Sequence, residues 1–108
     1  MKLLSSHDEI LLLAILGLGD EAYGVTIRRA VSKAIGKDWS IGAVYDPLYR
    51  LEQKGYVASL LSEPTNERGG RSKRIFRVTP HGIKALGAQK TIRDRLRQKI
   101  SENAFKHT

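Results

Sequence analysis

Residues 39–80 read WSIGAVYDPLYRLEQKGYVASLLSEPTNERGGRSKRIFRVTP, and this stretch decides the fold. Ser40 is a good helix N-cap, and Trp39 before it with Val44 after it matches a hydrophobic staple. Ile41, Val44, Leu48 and Leu51 then recur at i, i+3, i+7 and i+10, which predicts a helix with those four side chains buried. Gly55 supplies the left-handed residue that closes it. Residues 56–63 and 73–79 are rich in Val, Leu, Ile and Phe and read as two short strands, with a loop dense in turn residues between them. A short helix followed at once by a hairpin whose tip carries arginine and glycine is the outline of a winged helix-turn-helix.

Pro47 is the irregular residue, because a proline inside a helix lacks the N–H that would bond to Ala43 and its ring crowds the preceding turn. The helix is expected to continue through Leu51, with a bend or a loosened first turn.

Upstream, Ser6 to Glu9 has the S-x-x-E form of a capping box directly before an apolar run, so a first helix is expected from about His7 to Leu18. Between Ile10 and Leu18 only Gly17 is not strongly apolar or alanine. One apolar face would serve the core of a single chain, and the surplus points to a second burial surface, most simply another copy. A second helix is expected over residues 22–35, closed by Gly36, with Val25, Ile27, Ala30, Val31 and Ala34 inward and Arg28, Arg29 and Lys33 outward. Downstream, Thr79-Pro80 places a cap and an N1 proline at the head of a last helix. Its apolar positions are Ile83, Leu86, Ile92, Leu96, Ile100 and Phe105. The expected class is mainly α with a small β-hairpin wing, in the order ααα-ββ-α. Residues 1–80 would form the DNA-binding unit and residues 81–108 a dimerisation helix and tail, all in one structural domain.

Composition fits this outline. The 108 residues carry 19 Lys and Arg against 11 Asp and Glu, a formal charge of +8, which favours a polyanionic partner. Cysteine is absent, which excludes disulfides, thiolate metal sites and cysteine nucleophiles. The longest apolar run, Ile10 to Leu16, is far below the roughly 20 residues of a membrane span. A soluble, cytoplasmic protein is expected, without a membrane role.

With the apolar stripe of the third helix turned inward, Gly42, Ala43, Asp46, Tyr49 and Arg50 face outward, and Ser40 to Arg50 is the zone that would meet bases. Tyr45, at the edge of the stripe, could pack partly inward and offer its hydroxyl to a phosphate. Arg68, Gly69, Gly70, Arg71, Lys73 and Arg74 form the basic tip and base of the wing, with Arg77 further along. Arginine there suits a backbone or a narrow minor groove. His7, His81 and His107 lack metal-ligand spacing, and no carboxylate pair or phosphate-cradling loop accompanies them. No enzyme, metal or cofactor is expected.

Three groups of residues then carry a family resemblance. They are Tyr23-Gly24-Val25-Thr26-Ile27; Gly42-Ala43-Val44-Tyr45 with Leu48, Arg50-Leu51-Glu52 and Lys54-Gly55; and Gly69-Gly70-Arg71 through Arg77-Val78-Thr79-Pro80, Gly82 and Leu86. Over residues 8–90 the chain resembles the PadR family of bacterial transcriptional regulators, departing from its usual pattern at Asp46-Pro47. The resemblance implies a homodimeric repressor on a palindromic operator in double-stranded DNA. It implies that residues 42–50 enter the major groove, with Tyr45 near the backbone and the wing beside it. On the supporting helix Arg28, Arg29 and Lys33 form a further cluster facing the backbone, and Tyr23 and Arg28 are counted among the expected DNA-binding residues. The resemblance also implies dimerisation of the last helix with the first, through Leu12, Ile15, Leu86, Ile92, Leu96 and Ile100. Two other functions fit the same residues: a winged-helix module for protein or RNA, and a sensor whose DNA binding is controlled by a small-molecule effector at the dimer interface.

Overall fold

The computed structural model describes residues 2–63 and 72–106. Its elements are α1 (Ser6–Leu18), a short turn of 3-10 helix (Gly19–Glu21), α2 (Gly24–Ile35), α3 (Ile41–Gln53), β1 (Val57–Leu61), β2 (Arg74–Val78) and α4 (Pro80–Lys106). The expected order of elements is present. The strands pair antiparallel with Val57 opposite Val78 and Leu61 opposite Arg74. The peptide before α2 adds a third edge: Tyr23 bridges Ile75, and the Phe76 N–H donates to the Ala22 carbonyl at 2.8 Å. This extended pairing delays the start of α2 to Gly24, two residues later than the pattern had predicted.

Leu11, Leu12 and Ile15 of α1, Ile27 and Val31 of α2, Val44, Leu48 and Leu51 of α3, and Val57 and Phe76 of the sheet close one core. Within α2 only Ile27 and Val31 of the expected inner set are fully buried; Ala30 is half-buried, and Val25 and Ala34 face solvent. Helix α1 also starts differently. Its cap is Ser5, whose Oγ accepts from the Asp8 N–H at 3.1 Å. Glu9 does not close a capping box, because its carboxylate is taken by Gln89 and Arg93 of α4.

Helix α3 ends in a Schellman arrangement: the Tyr56 N–H reaches the Leu51 carbonyl and the Gly55 N–H that of Glu52, both at 3.0 Å, with Gly55 at φ +81°. Thr79 then joins two helix ends. Its Oγ1 donates to the Gly55 carbonyl at 2.6 Å and accepts from the Gly82 N–H at 3.1 Å, as a cap at the head of α4 requires. Gly82 itself is buried where a β-carbon would lie 2.3 Å from the Tyr56 carbonyl oxygen. Only glycine lets α4 come so near the start of β1.

Along its 27 residues, about 40 Å at 1.5 Å per residue, α4 rests on α1 near its beginning and then leaves it. Gln89 fastens the contact: it is 4 % exposed, its carbonyl accepts from the Leu4 N–H at 2.8 Å, and its amide donates to Glu9. Beyond it Leu96 and Ile100 stand exposed.

Candidate nucleic-acid interface

Helix α3 is held from three sides before its outward face is considered. The Trp39 N–H donates to Ser32 Oγ at 3.0 Å, and Arg28 donates to the Trp39 carbonyl at 3.4 Å, so the turn into α3 is tied to α2 on both sides of one residue. The His7 ring meets the Trp39 ring edge-on at 4.1 Å, adding α1. Ser40 then caps α3, its Oγ accepting from the Ala43 N–H at 3.1 Å, as expected.

The buried stripe is Val44, Pro47, Leu48 and Leu51. Ile41, expected at its head, is instead 59 % exposed. At about 100° per residue it lies roughly 70° from the stripe's centre, and it sits in the first turn, where the core has ended. Pro47 takes a place in the stripe. Its missing N–H removes one helical bond, but its ring is buried in the core and the helix runs unbroken from Ile41 to Gln53. The i, i+3, i+4, i+7 spacing of Val44, Pro47, Leu48 and Leu51 was the signal available for this in the sequence.

Ser40, Gly42, Asp46, Tyr49 and Arg50 all lie exposed, and Ala43 is half-buried. A β-carbon on Gly42 would meet nothing within 4 Å, so this part of the helix surface is flat and unobstructed. Tyr45 packs half-buried against the core. Its ring stacks on Tyr49 at 6.1 Å, and its hydroxyl lies against Gly24 so closely that a β-carbon there would be 1.8 Å away. Gly24 is therefore the seat of Tyr45, a pairing across 21 positions that no local pattern reveals.

Of the expected wing residues, Arg68, Gly69, Gly70 and Arg71 lie outside the described residues. Lys73 and Arg74, at the base, are exposed and both are anchored. The Lys73 ammonium stands 4.2 Å above the Tyr23 ring, a cation–π contact that brings the wing base to the head of α2. Arg74 donates to Ser59 Oγ at 3.1 Å, and Ser59 donates to the Glu52 carboxylate of α3 at 2.6 Å. Arg77 turns the other way and pairs with Asp20 at 3.2 Å, so it is not part of this face.

On the other flank Arg28, Arg29, Ser32, Lys33, Gly36, Lys37 and Asp38 line an open recess of about 430 Å³. It adjoins the turn into α3 and carries four cations against one carboxylate. Lys37 was missed in the sequence because it follows the end of α2, outside the helical pattern. Arg28 was expected to project freely; it is half-buried, with its Nε enclosed and lacking a hydrogen-bond partner. An exposed helix face thus lies between two cationic flanks, a form suited to a groove bordered by phosphates.

The family model for the transcriptional regulator PadR-like family matches residues 12–88. The chain belongs to that family. This PadR-like regulator is therefore a DNA-binding protein of transcription control, in a family of regulators and not of enzymes. Among solved structures it resembles a transcriptional regulator from Clostridium thermocellum, at 27 % identity and a TM-score of 0.66 over 94 % of this chain and 97 % of the other. A PadR family transcription regulator from Clostridium difficile matches at 24 % identity, TM-score 0.66, over 92 % and 99 %. A PadR-like transcriptional regulator from Bacillus cereus matches at 17 % identity, TM-score 0.67, over 91 % and 89 %. These last two show the shared fold. No curated protein sequence matches the regulator.

The expected dimer residues divide. Leu12 and Ile15 are wholly inside this chain's own core, at 0 % and 2 % exposure, and present nothing to a partner. The helical turn that buries them turns Leu13 and Leu16 outward instead. With Ile83, Leu86 and Gly87 of α4 these line an apolar groove of about 510 Å³ between α1 and α4, rimmed by Glu9, Lys90, Arg93, Asp94 and Arg97. Leu86 and Ile92 are half-buried, and Leu96 and Ile100 exposed.

Proposed function

We propose that this regulator acts as a cytoplasmic homodimeric repressor, docking on both halves of a palindromic operator. The observation that carries the reading is the flat outward face of α3 between two cationic flanks, on a chain of formal charge +8. Ser40, Gly42, Ala43, Asp46, Tyr49 and Arg50 face the major groove, and Tyr45 stands at its edge. Tyr23, Arg28, Lys73 and Arg74 border the backbone, together with Arg68, Gly69, Gly70 and Arg71 of the wing tip. Asp46 and Tyr49 carry base contact; a carboxylate accepts from the cytosine amino group. Localisation in the cytoplasm is in keeping with the finding that no helix of the described residues is long and apolar enough to cross a membrane.

The dimer is supported by exposed apolar side chains on two adjacent helices: Leu13 and Leu16 on α1, Ile83, Leu96 and Ile100 on α4. A two-fold dimer sets its two reading helices about 34 Å apart, one turn of DNA. A small-molecule effector is a second reading, favoured by the groove between α1 and α4, whose lining is apolar and whose rim is charged.

Salt titration of binding to the regulator's own promoter tests this. If each dimer makes roughly 6–10 phosphate contacts, affinity falls by about 10³–10⁵ between 50 and 200 mM salt. Replacing Arg71 and Arg74 with alanine weakens binding to every duplex alike, because phosphate contacts carry no sequence information. A flat salt response, or equal preference for RNA, overturns the reading in favour of a module with another partner. Occupancy without repression of a reporter removes the repressor assignment alone.

A further inference from the structure

We propose that Ile41 is a specificity-determining residue that reads the C5-methyl group of a thymine in the major groove. The inference rests on the DNA-reading role proposed for α3 and adds to it the base recognised. Four observations carry it.

Ile41 is 59 % exposed, while the other large apolar residues of α3's inner row, Val44, Leu48 and Leu51, are fully buried. The fold makes no use of a large apolar side chain there, since Ser40 caps the helix and the stripe closes without it. Its place is the first turn of the helix, the part of a reading helix that meets base edges. The face beside it is cleared by Gly42, where a β-carbon would touch nothing within 4 Å.

Ile41 also begins an i, i+4 row with Tyr45 and Tyr49, which stack at 6.1 Å. The turn before it is tied through Trp39 to Arg28, a member of the cationic recess. Phosphates held there and at the wing base would bring this turn against the floor of the groove. Among the four bases seen from the major groove only thymine offers an apolar group, its C5-methyl, and an aliphatic side chain is the natural partner for it. Solvent exposure of a large aliphatic group in the free protein, followed by burial against that methyl, would give a preference that hydrogen bonding cannot supply.

The test is to delete the methyl from the DNA. A duplex bound by the wild-type protein is selected from a random pool, and each thymine is replaced in turn by deoxyuridine, which keeps every hydrogen-bonding group. The expected result is a loss of about 4-fold per half-site at one symmetry-related pair of positions and little elsewhere, the scale of one methyl group leaving an apolar contact. Ile41→Ala is then compared on both duplexes. Because the side chain is exposed, the variant keeps its melting temperature, and it should bind thymine and deoxyuridine duplexes equally. Insensitivity of the wild type at every position, or an undiminished methyl effect in Ile41→Ala, overturns the assignment while leaving DNA reading intact. Failure to select any duplex overturns the DNA-reading role and this inference with it.

Discussion

Helices α3 and α4 are opposites in how they are held. Helix α3 spends most of its apolar stripe inside the chain: Val44, Pro47, Leu48 and Leu51 are buried, and its open outward face carries one large aliphatic side chain, Ile41 of the first turn. Helix α4 is wedged at its first turn, where Gly82 touches the Tyr56 carbonyl and Thr79 caps it, and then carries Ile83, Leu96 and Ile100 exposed. A helix satisfied from behind is free to meet a foreign surface. One that leaves Ile83, Leu96 and Ile100 in solvent has an apolar surface that the proposed dimer would cover. In the proposed function the contrast gives recognition to α3 and assembly to α4, and it can be broken at named residues.

The largest effect is expected at Leu48. Leu48→Ala opens a cavity in a fully buried stripe and should cost about 2–5 kcal/mol, read as a drop in the urea midpoint at constant slope. Leu96→Ala, at 62 % exposure, should change the stability of the isolated chain by about 0.5 kcal/mol or less and raise the dimer's dissociation constant instead. Sedimentation equilibrium separates the two. If Leu96→Ala unfolds the chain as Leu48→Ala does, or leaves association unchanged, the division between the helices is wrong.

Gly82→Ala comes next. A β-carbon 2.3 Å from a backbone carbonyl and 2.7 Å from Val78 Cγ1 must push α4 off β1, because neither neighbour is the loose end of a side chain. The cost should be about 1–3 kcal/mol in thermal melts. A variant as stable as the parent would show that α4 is not seated as tightly as the wedge requires.

How much of this was open to the sequence depends on the range of each interaction. Ser40 as cap, Gly55 as terminator and Thr79-Pro80 as a helix head are local, and each lies where the pattern placed it. Displacements came from contacts between distant segments. Glu9 was drawn from a capping box to Gln89 and Arg93, some 80 positions away. Ala22 and Tyr23 were held extended by pairing with β2. Ile41 shows a different limit, because helical spacing gives the direction of a side chain and not where the core stops along the axis. Leu12 and Ile15 show a third: an all-apolar helix does not disclose which of its faces the chain itself consumes. Once α2 and α3 fill one side, Leu13 and Leu16 are left in solvent.

A small effect of the opposite sign is expected where the same glycine-to-alanine change is made on α3. Gly42 lies in the first turn with open space around it, at a negative φ. Alanine there removes backbone freedom from the unfolded chain and adds a better helix former, so Gly42→Ala should stabilise the fold by up to about 1 kcal/mol. The extra methyl group stands on the face proposed to approach the bases, however, and specific binding should weaken even as the melting temperature rises. One substitution type would then destabilise α4 through a clash within the chain and disturb α3 only through its target. Measured together, melting and operator affinity of Gly42→Ala ask whether α3's open turn is kept clear for DNA. Unchanged affinity would mean that the helix backbone does not come close to the groove floor, leaving the longer side chains, Asp46, Tyr49 and Arg50, to make the contact alone.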